Sequence, residues 1–152
     1  MAAAGCGYST KSLHRTDVQT VIVPIFSSKS FRRNLEFDLT REVVKTLETR
    51  TPYKVVSDRA RADTELRGEI LYLRTPVLAE DVDTDAPINV QVTLSCWFEW
   101  KDLRTGEMLA RREPLTATAS YAVAFGESRD SATAEATRRL AERIVEAMEE
   151  DW

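Results

Sequence analysis

The sequence predicts a single α+β domain, a mixed sheet of four to five strands with two helices packed on one face. Three observations predict it. Ile88, Val90, Val92, Leu94, Cys96, Phe98 and Trp100 alternate with Asn89, Gln91, Thr93, Ser95, Trp97, Glu99 and Lys101. That strict period of two belongs to a strand with one core face. Leu35, Leu39, Val43 and Leu47 recur every four residues, as do Ala136, Leu140, Ile144 and Met148. Each set draws one apolar stripe along a helix. Strand and helices then have one face apiece to hide, and stacking two helices on a sheet hides them all.

Taken in order, residues 18–26 (VQTVIVPIF) have the β-branched richness of a buried strand. Pro24 lacks an N–H, so that strand lies at an edge or pairs on one side there. Residues 27–30 form a polar connector, and Asn34 is placed to cap a helix over residues 35–50. Thr51-Pro52 ends it, because a residue before proline avoids the helical region. Residues 53–56 read as a short strand, 57–62 as a charged turn, and 64–73 as a longer strand carrying Leu66, Ile70 and Tyr72. An acidic loop covers residues 79–87. The alternating strand of residues 88–101 would span roughly 45 Å at about 3.3 Å per residue, with Trp97 the one large apolar residue on its polar face. Residues 101–107 turn the chain and residues 108–119 return antiparallel, Pro114 marking an edge or a bulge. Ser128 is placed to cap a last helix of about 20 residues, ending near Asp151. The order is β-α-β-β-β-β-α.

Composition excludes several classes of function. The 152 residues are 43% hydrophobic, enough for a real core, and carry 21 basic against 25 acidic side chains. A net charge of -4 gives no overall drive toward nucleic acid. No stretch approaches the roughly 18 apolar residues of a membrane span, so membrane attachment must come from lipid or a partner. One histidine, His14, stands in a polar N-terminal segment without a nucleophile motif, and reads as an exposed tail residue. Five glycines include none in phosphate-loop spacing. Asp81, Asp83 and Asp85 have the spacing that opens a calcium loop, but Ala86 and Val92 stand where it needs glycine and glutamate. The expectation is therefore no catalytic residue, no metal, no cofactor, and a protein that is not an enzyme. Lys101, Arg104, Arg111 and Arg112 form a cationic cluster that reads two ways. It grips anionic phosphate groups, or it charges a strand edge against unwanted pairing.

Ala3-Ala4-Gly5-Cys6-Gly7-Tyr8 reads as a lipoprotein processing site, at which Cys6 becomes the first residue and carries acyl chains. Ala3 stands where leucine is usual, and the apolar region expected before such a site is absent from residues 1–5. The competing reading is a disordered tail. With Cys6 acylated, Cys96 is left alone, buried and inert; a Cys6–Cys96 disulfide would instead exclude acylation.

With these elements placed, the chain resembles the LPS-assembly lipoprotein family, LptE. The resemblance starts at Cys6-Gly7-Tyr8, continues through Val21-Ile22-Val23-Pro24-Ile25-Phe26, and includes Leu35-Glu36 and Leu39-Thr40. Arg50-Thr51-Pro52-Tyr53-Lys54-Val55-Val56 and the segment Ala62-Asp63-Thr64-Glu65-Leu66-Arg67-Gly68-Glu69-Ile70 extend it. It closes with Asp102-Leu103-Arg104-Thr105-Gly106-Glu107-Met108-Leu109 and Arg139-Leu140-Ala141-Glu142-Arg143-Ile144-Val145. It implies residues 1–17 as a lipid-attachment segment and linker, and residues 18–152 as an LptE-like α+β domain. It also implies an outer-membrane lipoprotein on the periplasmic face, anchored by acyl chains on Cys6. Such a protein plugs a large partner β-barrel, helps it assemble, and assists transfer of lipopolysaccharide to the outer leaflet. Gly7 after the cysteine fits outer-membrane sorting, and Lys101, Arg104, Arg111 and Arg112 are the candidates for lipopolysaccharide contact. The rival expectation is a periplasmic lipoprotein that binds a small amphiphile between sheet and helices.

Overall fold

The structure is a computed structural model that describes residues 14–149 apart from Phe31 and Arg33, with the side chains of Arg112, Glu113 and Ala124 also outside the description. Seven strands and two helices follow one another as β1 (Thr20–Ile22), β2 (Ser27–Ser28), α1 (Leu35–Arg50), β3 (Lys54–Val55), β4 (Thr64–Arg74), β5 (Val77–Glu80), β6 (Pro87–Asp102), β7 (Met108–Ala122) and α2 (Arg129–Glu146). The long strand β6 is the spine. On one flank it pairs antiparallel with β4 and then with β5; on the other it pairs antiparallel with β7. Short parallel strands complete the sheet, β1 between β3 and β4 and β2 beside β4. This is the expected α+β domain, a mixed open sheet with two helices.

The sheet has more strands than four or five for local reasons. Residues 18–26 do not make one strand: β1 stops at Ile22 and β2 resumes at Ser27, either side of Pro24, which has no N–H to give a ladder. The acidic loop is also shorter than expected. Residues 77–80 pair with β6, and the turn that remains is closed by Asp81 N–H donating to Ala86 O at 2.8 Å. Pro114 does mark a bulge, since the β6–β7 register shifts between the Cys96 and Phe98 positions. α2 ends at Glu146, sooner than expected, although Met148 beyond it is still buried.

Asn34 starts α1 in a different way from the one expected. Its side chain accepts no capping hydrogen bond; its backbone sits in the left-handed region at φ 65°. Asparagine tolerates that conformation better than other non-glycine residues. Ser128 caps α2 as expected, its hydroxyl accepting from Ser131 N–H at 3.1 Å.

The core lies between the helices and the even-numbered face of β6. Val92, Leu94, Cys96, Phe98 and Trp100 meet Leu66 and Ile70 of β4 and the stripes Leu39, Val43, Leu47, Leu140 and Ile144, all buried. Burying each large aliphatic side chain is worth about 1.5–3 kcal/mol. Gly68 is required by packing: a Cβ there would lie 2.4 Å from the ring of Phe26. Cys96 carries a free thiol whose pKa burial pushes up to about 12, so it is no nucleophile at neutral pH.

Candidate functional site

Among the described residues no group of histidine, cysteine and carboxylate side chains is arranged to hold a metal ion. His14 is not a tail residue, because its ring packs edge-on against Tyr53 with centroids 5.8 Å apart. The functional features of this fold are surfaces, and they divide between its two ends and its open face.

One end is the β6–β7 turn, where the chain enters the domain. Asp102 is 3% exposed, and its carboxylate accepts from Arg104 N–H at 2.7 Å, Thr105 N–H at 3.1 Å and the Arg104 guanidinium at 2.8 Å. Arg104 holds the Asp102 pKa at about 2 by that side-chain hydrogen bond, against the opposing effect of burial. The same guanidinium donates to the backbone oxygen of Asp17 at 3.1 Å. Beside it Asp63 accepts from Gln19 and Thr20 N–H at 3.0 and 2.9 Å, and these bonds pull its pKa down too. Arg104 is thus a bracket between the turn and the N-terminal segment.

The second surface is the sheet face away from the helices. Register puts Lys101 opposite Glu65, and Arg111 opposite Glu99, on this face. Both cations are exposed. Arg112 pairs with Phe98 through its backbone, and its side chain lies outside the described residues, as does Cys6. The fold thus brings Lys101 and Arg111 onto one polar face and assigns Arg104 to the turn below them. Trp97 belongs to the same face, half-buried, its indole N–H donating to Glu69 at 2.9 Å while Lys29 pairs with Glu69 at 3.3 Å. Chiefly through the Trp97 bond, the Glu69 pKa is lowered.

The third surface, at the far end of β6, is one that sequence reasoning missed. Val77, Leu78, Val82, Ile88, Val123 and Phe125 are all exposed there, Val82 at 96% and Phe125 at 86%. Register places Val77 opposite Val90, and Ile88 lies two residues before Val90, so both continue the helix-bearing face. The apolar pattern outruns the helices: Val92 is wholly buried, Ile88 is 41% exposed. Glu80, Asp81, Asp83, Asp85 and Glu127 are acidic neighbours of these residues along the chain. The signal in the sequence was Val82 standing among acids and Phe125 next to a turn glycine.

The outer edge of β7 is covered by α2 at Thr116 and Thr118. Arg139 of α2 donates to Thr118 O at 2.8 Å, and Arg143 donates to Thr116 O. Two guanidinium groups thus occupy carbonyls that an edge strand would offer to another chain. No helix among the described residues is long and apolar enough to cross a membrane.

Comparison with known proteins adds a family. The fold is similar to that of the hypothetical protein CT253 from Chlamydia trachomatis, with TM-score 0.63 and 16% identity over 84% of this chain and 94% of that one. The rare lipoprotein B from Shewanella oneidensis gives TM-score 0.60 and 18% identity, over 86% and 93% of the two chains. The PelC dodecamer from Paraburkholderia phytofirmans gives 0.60 and 13%, over 90% and 93%. At such identities the likeness shows the fold alone. No curated protein matches the sequence. The LptE family model, described as lipopolysaccharide-assembly, matches residues 18–148. That match spans both helices and every strand of the sheet, and the chain belongs to the LptE lipopolysaccharide-assembly family.

Proposed function

We propose that the protein is an outer-membrane lipoprotein that plugs a large partner β-barrel, assists its assembly, and helps pass lipopolysaccharide to the outer leaflet. The family match over residues 18–148 carries this reading. Acyl chains on Cys6 anchor it on the periplasmic face, and several chains hold a protein firmly where one holds it marginally. Lys101 and Arg111 on the open face contact lipopolysaccharide phosphates, Arg112 is a further candidate for that contact, and Arg104 keeps the turn that carries Lys101 in place. The role is non-enzymatic and needs no cofactor, metal or nucleic acid.

Two structural features support a plug. A barrel lumen is polar, and the sheet face left uncovered carries Glu65, Arg67, Glu99, Lys101 and Arg111. The apolar end around Val82 and Phe125 supplies the part of the surface that gains most from being covered. The rival reading needs room for an amphiphile between sheet and helices, but that space is filled by Leu39, Val43, Leu140 and Ile144, each 0% exposed.

Affinity purification of the tagged full-length product from detergent-solubilised host membranes tests the reading. Stoichiometric recovery of one large outer-membrane β-barrel is expected. Recovery from the soluble fraction with no barrel overturns it. Cys6→Ala should move the protein out of the detergent phase, and unchanged partitioning would remove the lipid anchor.

A further inference from the structure

β7 lies at the edge of the sheet and pairs with β6 alone. From Leu115 to Ala122 its register with β6 is unbroken over eight consecutive pairs. Residues 115–126 carry no charged side chain and no proline. Edge strands are ordinarily blunted by such residues or by bulges, so this stretch has to be guarded from outside. The backbone N–H and C=O of one strand residue point to the same side, and the side alternates from residue to residue. Arg139 donates to Thr118 O at 2.8 Å, Arg143 donates to Thr116 O, and Glu127 accepts from Ala122 N–H at 2.7 Å. Residues 116, 118, 120 and 122 therefore turn their backbone groups away from β6. Three of these four are held by a charged side chain; Ser120, exposed between them, has no such partner among the described residues. We propose that this edge pairs antiparallel with the same edge of a second copy when Arg139, Arg143 and Glu127 release it, and that the closed clasp keeps two copies apart.

The strand is its own complement, which is why the occupant is a second copy. A twofold axis beside Thr118 sets that residue against its own equivalent. The same axis sets Thr116 against the equivalent of Ser120, and Ala117 against the equivalent of Ala119. Hydroxyl then faces hydroxyl and methyl faces methyl, and cross-strand pairs of this kind favour pairing, whereas like charges directly opposite oppose it. In this register Arg111, Arg112 and Glu113 fall opposite residues 123–125, which are uncharged, so no charge meets its like. A contact made by the same patch on both copies closes at two.

The clasp opens without unfolding the domain. Arg139 and Arg143 are exposed, and half of the Arg139 side chain meets solvent. The residues that seat α2 on the sheet are others, Ala136, Leu140 and Ile144, all buried. Glu135, which pairs with Arg139, also pairs with Arg138 at 2.8 Å and keeps that partner when Arg139 leaves.

Sedimentation velocity of the full-length Cys6→Ala chain, which carries no acyl group, tests the proposal. That parent is compared with Arg139→Ala plus Arg143→Ala, and with the same pair plus Thr118→Lys, which sets two cations face to face at the axis. The expected result is a discrete dimer for the pair, with self-association strengthened about tenfold or more over the parent. Adding Thr118→Lys should return it to the parent's behaviour. Arg41→Ala with Lys45→Ala, two exposed cations on α1, should leave the parent unchanged. A pair as monomeric as the parent overturns the proposal. So does a dimer that Thr118→Lys leaves intact, because its contact then lies elsewhere, and so does equal dimerisation of the α1 variant, because loss of charge alone is then the cause. Urea unfolding checks that each variant is folded. Should the pair fail to fold, Arg143→Ala alone, with and without Thr118→Lys, decides the matter by the same measurement.

Discussion

Asp102 and Gly68 show how much of this fold turns on single residues. Asp102 is nearly inaccessible and its carboxyl is held at about 2, against an ordinary 3.8, by the Arg104 hydrogen bond first and by two backbone N–H groups. A folded-state pKa below the unfolded one gives stability that is full above the unfolded value and lost as pH falls through the folded one. Asp102 therefore contributes above pH 4 and stops contributing as pH drops toward 2. Because Arg104 is itself half-exposed, the contribution is about 1–2 kcal/mol. Asp102→Asn should lower the urea midpoint at pH 7 and flatten the acid limb of stability between pH 4 and 2. An unchanged acid limb would mean that other carboxylates, such as Asp63, set it. Gly68 is a steric case: Gly68→Ala places its Cβ against the buried Phe26 ring and should cost about 1–3 kcal/mol by overpacking, read from urea unfolding. A gain or no change would show that the ring moves freely. Neither role is written in composition, since Gly68 sits in a strand pattern where a glycine looks merely weak.

At the scale of elements, what could be read depended on whether local chemistry or a distant neighbour decides. The alternation of residues 88–101 and the stripes of both helices were legible because each follows from one periodicity. β2 and β5 were not, because strands of two and four residues exist only through their pairing with β4 and β6. The start of α1 was half legible: the boundary at Leu35 was right, the reason was not. Asn34 serves through its backbone at φ 65°, so Asn34→Gly should be nearly neutral, whereas Asn34→Ala should cost about 1 kcal/mol. Equal loss in both variants would instead point to the asparagine side chain. The clasp of α2 on β7 was invisible for another reason. Arg139 and Arg143 look like solvated helix positions until the fold brings Thr116 and Thr118 carbonyls beneath them.

The whole molecule has a polarity. β6 alone, at 16 residues, spans roughly 50 Å. The Arg104 bracket fastens the N-terminal segment at one end of it, so in the proposed role that end faces the membrane bearing the Cys6 anchor. The apolar end is the far one, and the alternation of β6 did not by itself separate it from core. Ile88 continues the same alternation as Val92, and only the point where α2 begins, Arg129, decides which of them is covered. Exposed apolar side chains with Glu80, Asp81, Asp83 and Asp85 next to them in the chain suit a partner surface that is apolar with basic groups nearby. In the proposed complex their burial would add to binding, and in the isolated domain it adds nothing. Val82→Ser with Phe125→Ser should accordingly leave the urea midpoint within about 0.5 kcal/mol of wild type. The same variant should recover much less barrel from solubilised membranes. If barrel recovery is undiminished, the apolar end is not the contact of the proposed complex, and Lys101→Glu with Arg111→Glu then tests the open sheet face.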